Sequence, residues 1–232
     1  MSSKEKLIHE KLRGYKGIVI GQFSILIIFL FAFPYFTKYP FPYYSQVLLV
    51  FISILLLVIN YLSFELLKDL TDSKFIVYLV VSSLTLAVVL QFLDGISMLM
   101  PSMPSYQFLM LVAILLSLVP FLILLYLIFN DIFREKHDIV YRLWGCACIY
   151  LLFGVCFCLI YTMFAYAHPL EFGKTKIDIY VFVDCYNYSF YTLAGIDSPF
   201  PNFSNIVKNL SVIESVFSNL YVILVVGRLL SK

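Results

Sequence analysis

Six apolar runs, residues 17–36, 44–66, 75–98, 107–129, 139–166 and 206–229, dominate this chain. Each approximates or exceeds the roughly 20 residues that an α-helix needs to cross the hydrocarbon core of a bilayer. Several are rich in Val, Ile and Phe, which would leave a short run ambiguous, but at this length helix is favoured over strand. Composition agrees: 62% of the 232 residues are hydrophobic and 13% charged, against an apolar share of about 45–50% in soluble domains. Mean hydropathy is +0.95. The expectation is an all-α, multi-pass integral membrane protein with six transmembrane helices. The polar stretches are too short to enclose a separate soluble core, and a net charge of +2 is too small to suggest nucleic acid as a partner.

The charges between these runs orient the bundle. Lys4, Lys6, Lys11, Arg13 and Lys16 precede the first span, Lys68 and Lys74 flank the second connection, Arg134, Lys136 and Arg142 flank the fourth, and Arg228 and Lys232 close the chain. By the positive-inside rule these sites are cytoplasmic, as are both termini. The opposite side receives Lys38, Lys174, Lys176 and Lys208, with proline-bearing turns at 39–42 and 101–104. A cleaved signal peptide is not expected, because the first apolar run is long and continues through Phe31-Ala-Phe-Pro without a small-residue cleavage site.

Between the fifth and sixth runs lies a polar-aromatic stretch, Asp184-Cys-Tyr-Asn-Tyr-Ser-Phe-Tyr-Thr-Leu-Ala-Gly-Ile-Asp-Ser-Pro. From Phe182 to about Leu193 its apolar and aromatic residues recur at helical spacing, yet the segment is too short to span. Ala194-Gly195 permits a sharp return. Pro199 and Pro201 stop the helix from resuming, and Ser204 is placed to cap the last span. This is the layout of a re-entrant pore helix and loop, tolerated at membrane depth only where protein buries it or water lines it. The C-terminal, partially negative end of such a helix favours a cation. The alternative is an extracellular connection resting on the bundle.

Residues 184–232 resemble the two-helix pore module of the potassium-channel superfamily, in particular bacterial ion-channel domains. Those read approximately Tyr-Phe-Ser-Phe-x-Thr-Leu-Thr-Thr-x-Gly-Tyr-Gly-Asp, then an inner helix with a Glu, a small residue, a Leu-Tyr pair and a terminal Ala-Arg-Leu. Here Tyr188-Ser-Phe-Tyr-Thr-Leu matches the end of the pore helix, and Glu214, Ser218, Leu220-Tyr221 and Gly227-Arg228-Leu229 match the inner helix in order and spacing. The resemblance implies a pore domain over residues 139–232, a four-helix peripheral bundle over 17–138 behind a cytoplasmic segment 1–16, and four copies around one conduit. It also implies a selectivity loop of Thr192, Leu193, Ala194, Gly195, Ile196 and Asp197. Only Ala194-Gly195-Ile196 separates Thr-Leu from Asp197, three residues fewer than the family pattern. Potassium filters strip the ion's hydration shell with successive carbonyl rings, and the shortened loop cannot build the same stack. The expected ions are monovalent cations with weak discrimination among them, with calcium a further candidate. Gly195, Asp197, Pro199 and Pro201 are similar in kind to the short filters of cyclic-nucleotide-gated and other weakly selective relatives.

The fourth run, 107–129, holds no Arg or Lys, whereas a voltage sensor needs several gating charges, each worth about 2.3 kcal/mol per 100 mV. Direct voltage gating is not expected. Glu214 either braces the pore helix from behind or contacts an ion; Asn219 either bonds between inner helices or faces the cavity. Ser211, Ser215 and Ser218 read as a close-packing helix face, with an ion path as the alternative and both open in a pore. Asp94, with Gln91, reads as a structural hydrogen-bonding group near the outer boundary, with a gating role as the alternative. No enzyme signature is present: His9, His137 and His168 are dispersed to opposite sides, and Cys146, Cys148, Cys156 and Cys158 lack redox or metal spacing. Passive ion passage needs no cofactor. The resemblance thus implies a homotetrameric cation channel in a plasma or bacterial inner membrane, surrounded by lipid. The alternative is a non-conducting sensor or accessory subunit with a channel-like fold.

Overall fold

A computed structural model describes residues 3–32, 58–99, 107–134, 138–172, 181–196 and 203–230. Among them the protein is all-helical, with no strand. Helix α1 (Ser3–Ile27) runs into a π-helical turn, Ile28–Ala32; α2 covers residues 58–70; α3 is Lys74–Leu99, α4 Gln107–Arg134 and α5 Ile139–Ala167. A 3₁₀ turn at Pro169–Phe172 follows, then the short α6, Val181–Leu193, and α7, Asn205–Leu230.

Among the described residues four stretches are long and apolar enough to cross a membrane: Glu5–Phe31, Phe108–Phe133, Ile139–Ala167 and Asn205–Val225. Most of the expected second span, and the side chains of Gln91 and Asp94 in the third, lie outside the described residues. Helix α1 begins well before the first apolar run. Residues anticipated as a flanking segment are already helical from Ser3, because Glu5 to Tyr15 contain no Pro and only one Gly, so nothing stops the helix from extending N-terminally.

The chain divides into two compact units, Met1–Val77 with Tyr126–Leu151, and Tyr78–Leu125 with Leu152–Lys232. In the first, glycines let α1 approach α2 closely. A Cβ on Gly14, Gly17 or Gly21 would stand 3.1, 3.1 and 3.0 Å from Leu66, Leu62 and Ile59 respectively. The partner numbers fall as the glycine numbers rise, so the two helices are antiparallel. Small residues at such a seam replace side-chain bulk with close backbone approach, which drives helix association where the hydrophobic effect cannot. Tyr15, Ile18, Gln22, Ile25 and Phe29 form the buried stripe of α1, at spacings of three and four.

In the second unit, α5 contributes buried Leu152, Cys156, Cys158, Leu159, Tyr161 and Ala165. All five cysteines of the chain are buried thiols outside any disulfide, in keeping with use as small packing residues. Helix α6 is buried over most of its length, whereas α7 exposes Val212, Ile213, Val216, Phe217, Leu220, Ile223 and Leu224. So large an apolar face is foreign to a soluble monomer. It fits an integral membrane protein, where lipid or further protein covers it.

Candidate functional site

The site is built where α5, α6 and α7 meet around one carboxylate. Glu214 is fully buried. Its Oε2 accepts a hydrogen bond of 2.7 Å from the hydroxyl of Tyr161 on α5, and its Oε1 accepts one from Ser189 on α6. The Ser189 hydroxyl also lies 2.9 Å from the carbonyl oxygen of Gly154. A carboxyl group buried in a helical bundle is stable only when its oxygens are met by donors, and here two helices supply them. Glu214 therefore joins three elements and faces the protein interior.

The contact between α6 and α7 continues above and below. Ser211, Glu214 and Ser218 fall on one face of α7. Ser211 interacts with the hydroxyl of Tyr188, and Ser218 donates to the carbonyl of Leu193 at 3.2 Å. These residues meet successive levels of α6, from Tyr188 through Ser189 to Leu193. Gly154 makes room from the α5 side: a Cβ there would collide with the side chains of Leu193 and Phe190. Aromatic rings close one end, with Tyr161 and Tyr188 edge to face at 5.0 Å, Tyr188 and Phe203 at 4.8 Å, and Phe203 and Phe172 at 4.9 Å.

Helix α6 stops for a definite reason. Gly195 has φ of 66°, the left-handed conformation that glycine adopts without a Cβ penalty. Its N–H donates to Thr192 O at 3.1 Å, and the N–H of Ile196 donates to Tyr191 O at 3.0 Å. This pair of bonds around a left-handed glycine is the Schellman arrangement. Helix α6 therefore ends at this turn, and the carbonyls of Tyr191, Thr192 and Leu193 each accept a bond. Ahead of α7, the N–H of Ser204 donates to Glu171 O at 2.9 Å. The Ser204 carbonyl accepts from Lys208 N at 3.1 Å, opening α7 as its expected cap.

The candidate residues thus separate into groups. Glu214 and Ser218 sit together in the buried seam with Leu193. Thr192 is half-buried, and its hydroxyl turns back to Tyr188 O at 2.9 Å. Ala194, Gly195, Ile196 and Asn219 are exposed on the single chain, Ile196 by 57%. Asp197, Pro199 and Pro201 lie outside the described residues. Tyr161 and Gly154 escaped the reading of the sequence, and Ser189 entered it only as part of the pore-helix match. A signal existed in the i, i+4, i+7 row Gly154, Cys158, Tyr161, which puts two small residues and one hydroxyl on a single face of an otherwise apolar helix.

Compared with protein-family models, with curated proteins and with solved structures, the chain matches none. Among the described residues no group of three or more His, Cys, Asp and Glu is placed to hold a metal ion.

Proposed function

We propose that this chain is one subunit of a cation channel with six membrane spans, whose α6 and following loop form a re-entrant pore element, with four copies surrounding a central conduit. One observation carries the reading. A buried 13-residue helix, about 20 Å long and too short to span, sits between two long apolar helices. Its C-terminus ends in a turn at Gly195 and is braced from behind through Glu214 and Ser218. The motif resemblance over residues 184–232 supports the same assignment. The exposed apolar face of α7, interrupted by Asn219, suits a surface that other copies cover, since an amide facing lipid alone is costly. Passage is passive, weakly selective among monovalent cations because the loop is short, and not directly voltage-gated.

A second reading has its own support. The last carbonyls of α6 already accept bonds from Gly195 N, Ile196 N and Ser218, which suits a non-conducting sensor or accessory subunit that keeps the pore architecture. Purified protein in liposomes, assayed for sodium, potassium, calcium and chloride flux, separates the two. Comparable sodium and potassium flux is expected. Chloride-selective flux from well-folded oligomers refutes the cation channel, and absence of all flux favours the accessory subunit. A monomer in mild detergent and in membranes refutes the central conduit.

A further inference from the structure

A second buried polar cluster lies within the first compact unit. Lys11 Nζ lies 2.7 Å from Asp131 Oδ1, with the two side chains 12% and 9% exposed. The other carboxylate oxygen accepts from Tyr15 at 2.8 Å and from Tyr141 at 2.5 Å, and the two tyrosine rings meet edge to face at 5.3 Å. Lys11 and Tyr15 are one turn apart on α1, Asp131 is near the end of α4, and Tyr141 is in the first turn of α5. Close by, a Cβ on Gly145 would collide with the Ile132 side chain and stand 3.5 Å from the Tyr15 ring, and Lys16 lies over the Trp144 ring at 5.6 Å.

As a stabilising device this arrangement is a poor choice. A buried ion pair gains little over well-packed apolar side chains, whereas losing one partner strands a charge. A pair so arranged is better read as fixing a geometry than as adding stability. What it constrains is specific. The end of α4 and the start of α5 are already tied by the short connection 135–138, so the added restraint falls on α1, more than a hundred residues away in sequence. Both donors that α1 supplies leave together if that helix shifts, and Tyr141 alone then faces Asp131. We propose that the Lys11–Tyr15–Asp131–Tyr141 cluster is a latch through which α1 sets the position of the start of α5, making the N-terminal helix a regulatory element of the chain. Its effect on ion flux rests on the channel function; the latch itself does not.

The test uses the full chain in liposomes with genetically encoded spin labels at Ile20 and Leu143, both exposed, and labelled chains diluted among unlabelled ones. The unmodified chain should give one narrow distance distribution. Asp131→Asn and Lys11→Met should each shift the engaged population by about a hundredfold, adding a second distance, and Lys11→Asp combined with Asp131→Lys should restore the first. If Asp131→Asn fails to assemble, Lys11→Met carries the test. An unchanged distribution in these single variants overturns the latch. Flux is measured in the same liposomes. If distances respond while flux is present and unaltered, α1 is not regulatory and the proposal falls. If distances respond while no chain conducts, the latch stands and the conducting function falls.

Discussion

Glu214 shows how one side chain can organise three helices without touching a substrate. Its two oxygens are met by Tyr161 and Ser189, so Glu214→Ala strands the buried Tyr161 hydroxyl at a cost of about 1–3 kcal/mol, while Ser189 keeps the Gly154 carbonyl as acceptor. The expected result is a clear fall in thermal stability in detergent, with Tyr161→Phe milder because it removes the donor and leaves Ser189 in place. Equal stability of Glu214→Ala and the unmodified protein would show that the carboxylate does not brace the seam. Asp197 belongs to the opposite case, a residue whose role comes from the sequence alone. If four copies gather its carboxylates at an outer mouth, they concentrate cations there. Asp197→Asn should then lower conductance at low salt and matter less at higher ionic strength, where the screening length is about 10 Å at 0.1 M. A loss that ignores salt would instead assign Asp197 to hydrogen bonding behind the loop.

Helix α6 is decided at its two ends. Gly195 at φ 66° permits the paired bonds that finish the helix, and an L-residue held in that conformation costs roughly 1–2 kcal/mol. Gly195→Ala should therefore destabilise by about that amount. The open space around Gly195 removes collision as a competing cause. A larger loss, or loss of flux with stability preserved, would indicate that the backbone there also meets ions or another copy. The glycines of α1 teach a different lesson: Gly14, Gly17 and Gly21 are helical, and their importance is the closeness of α2 rather than freedom of φ.

For the molecule as a whole, the fourth apolar helix supplies a prediction through what it lacks. Helix α4 carries no basic residue from Gln107 to Asn130, so little charge moves through the field if it shifts, and each unit charge would contribute about 2.3 kcal/mol per 100 mV. If the chain conducts as proposed, the reconstituted protein should show an open probability that changes only shallowly with voltage. A steep conductance–voltage curve, equivalent to several transferred charges, would require moving charge elsewhere, with Lys11 and Asp131 the first residues to replace.

The helical, membrane-embedded character was legible in the sequence because long apolar runs are a local property: the bilayer requires every backbone group to be satisfied within its own helix. The end of α6 at Leu193-Ala-Gly and the cap at Ser204 were legible for the same reason, since turn and cap chemistry acts over a few residues. The partners of Glu214 were not. Tyr161 and Ser189 lie 53 and 25 residues away, and nothing local to an apolar helix says which neighbour will meet its few hydroxyls. Likewise Lys11 read as one more topogenic cation, and only the packing of α1 brought it 120 residues along the chain to Asp131. Apolar length determined which segments become helices; the tertiary structure decided which polar side chains face one another, because buried donors and acceptors find partners through space rather than along the sequence.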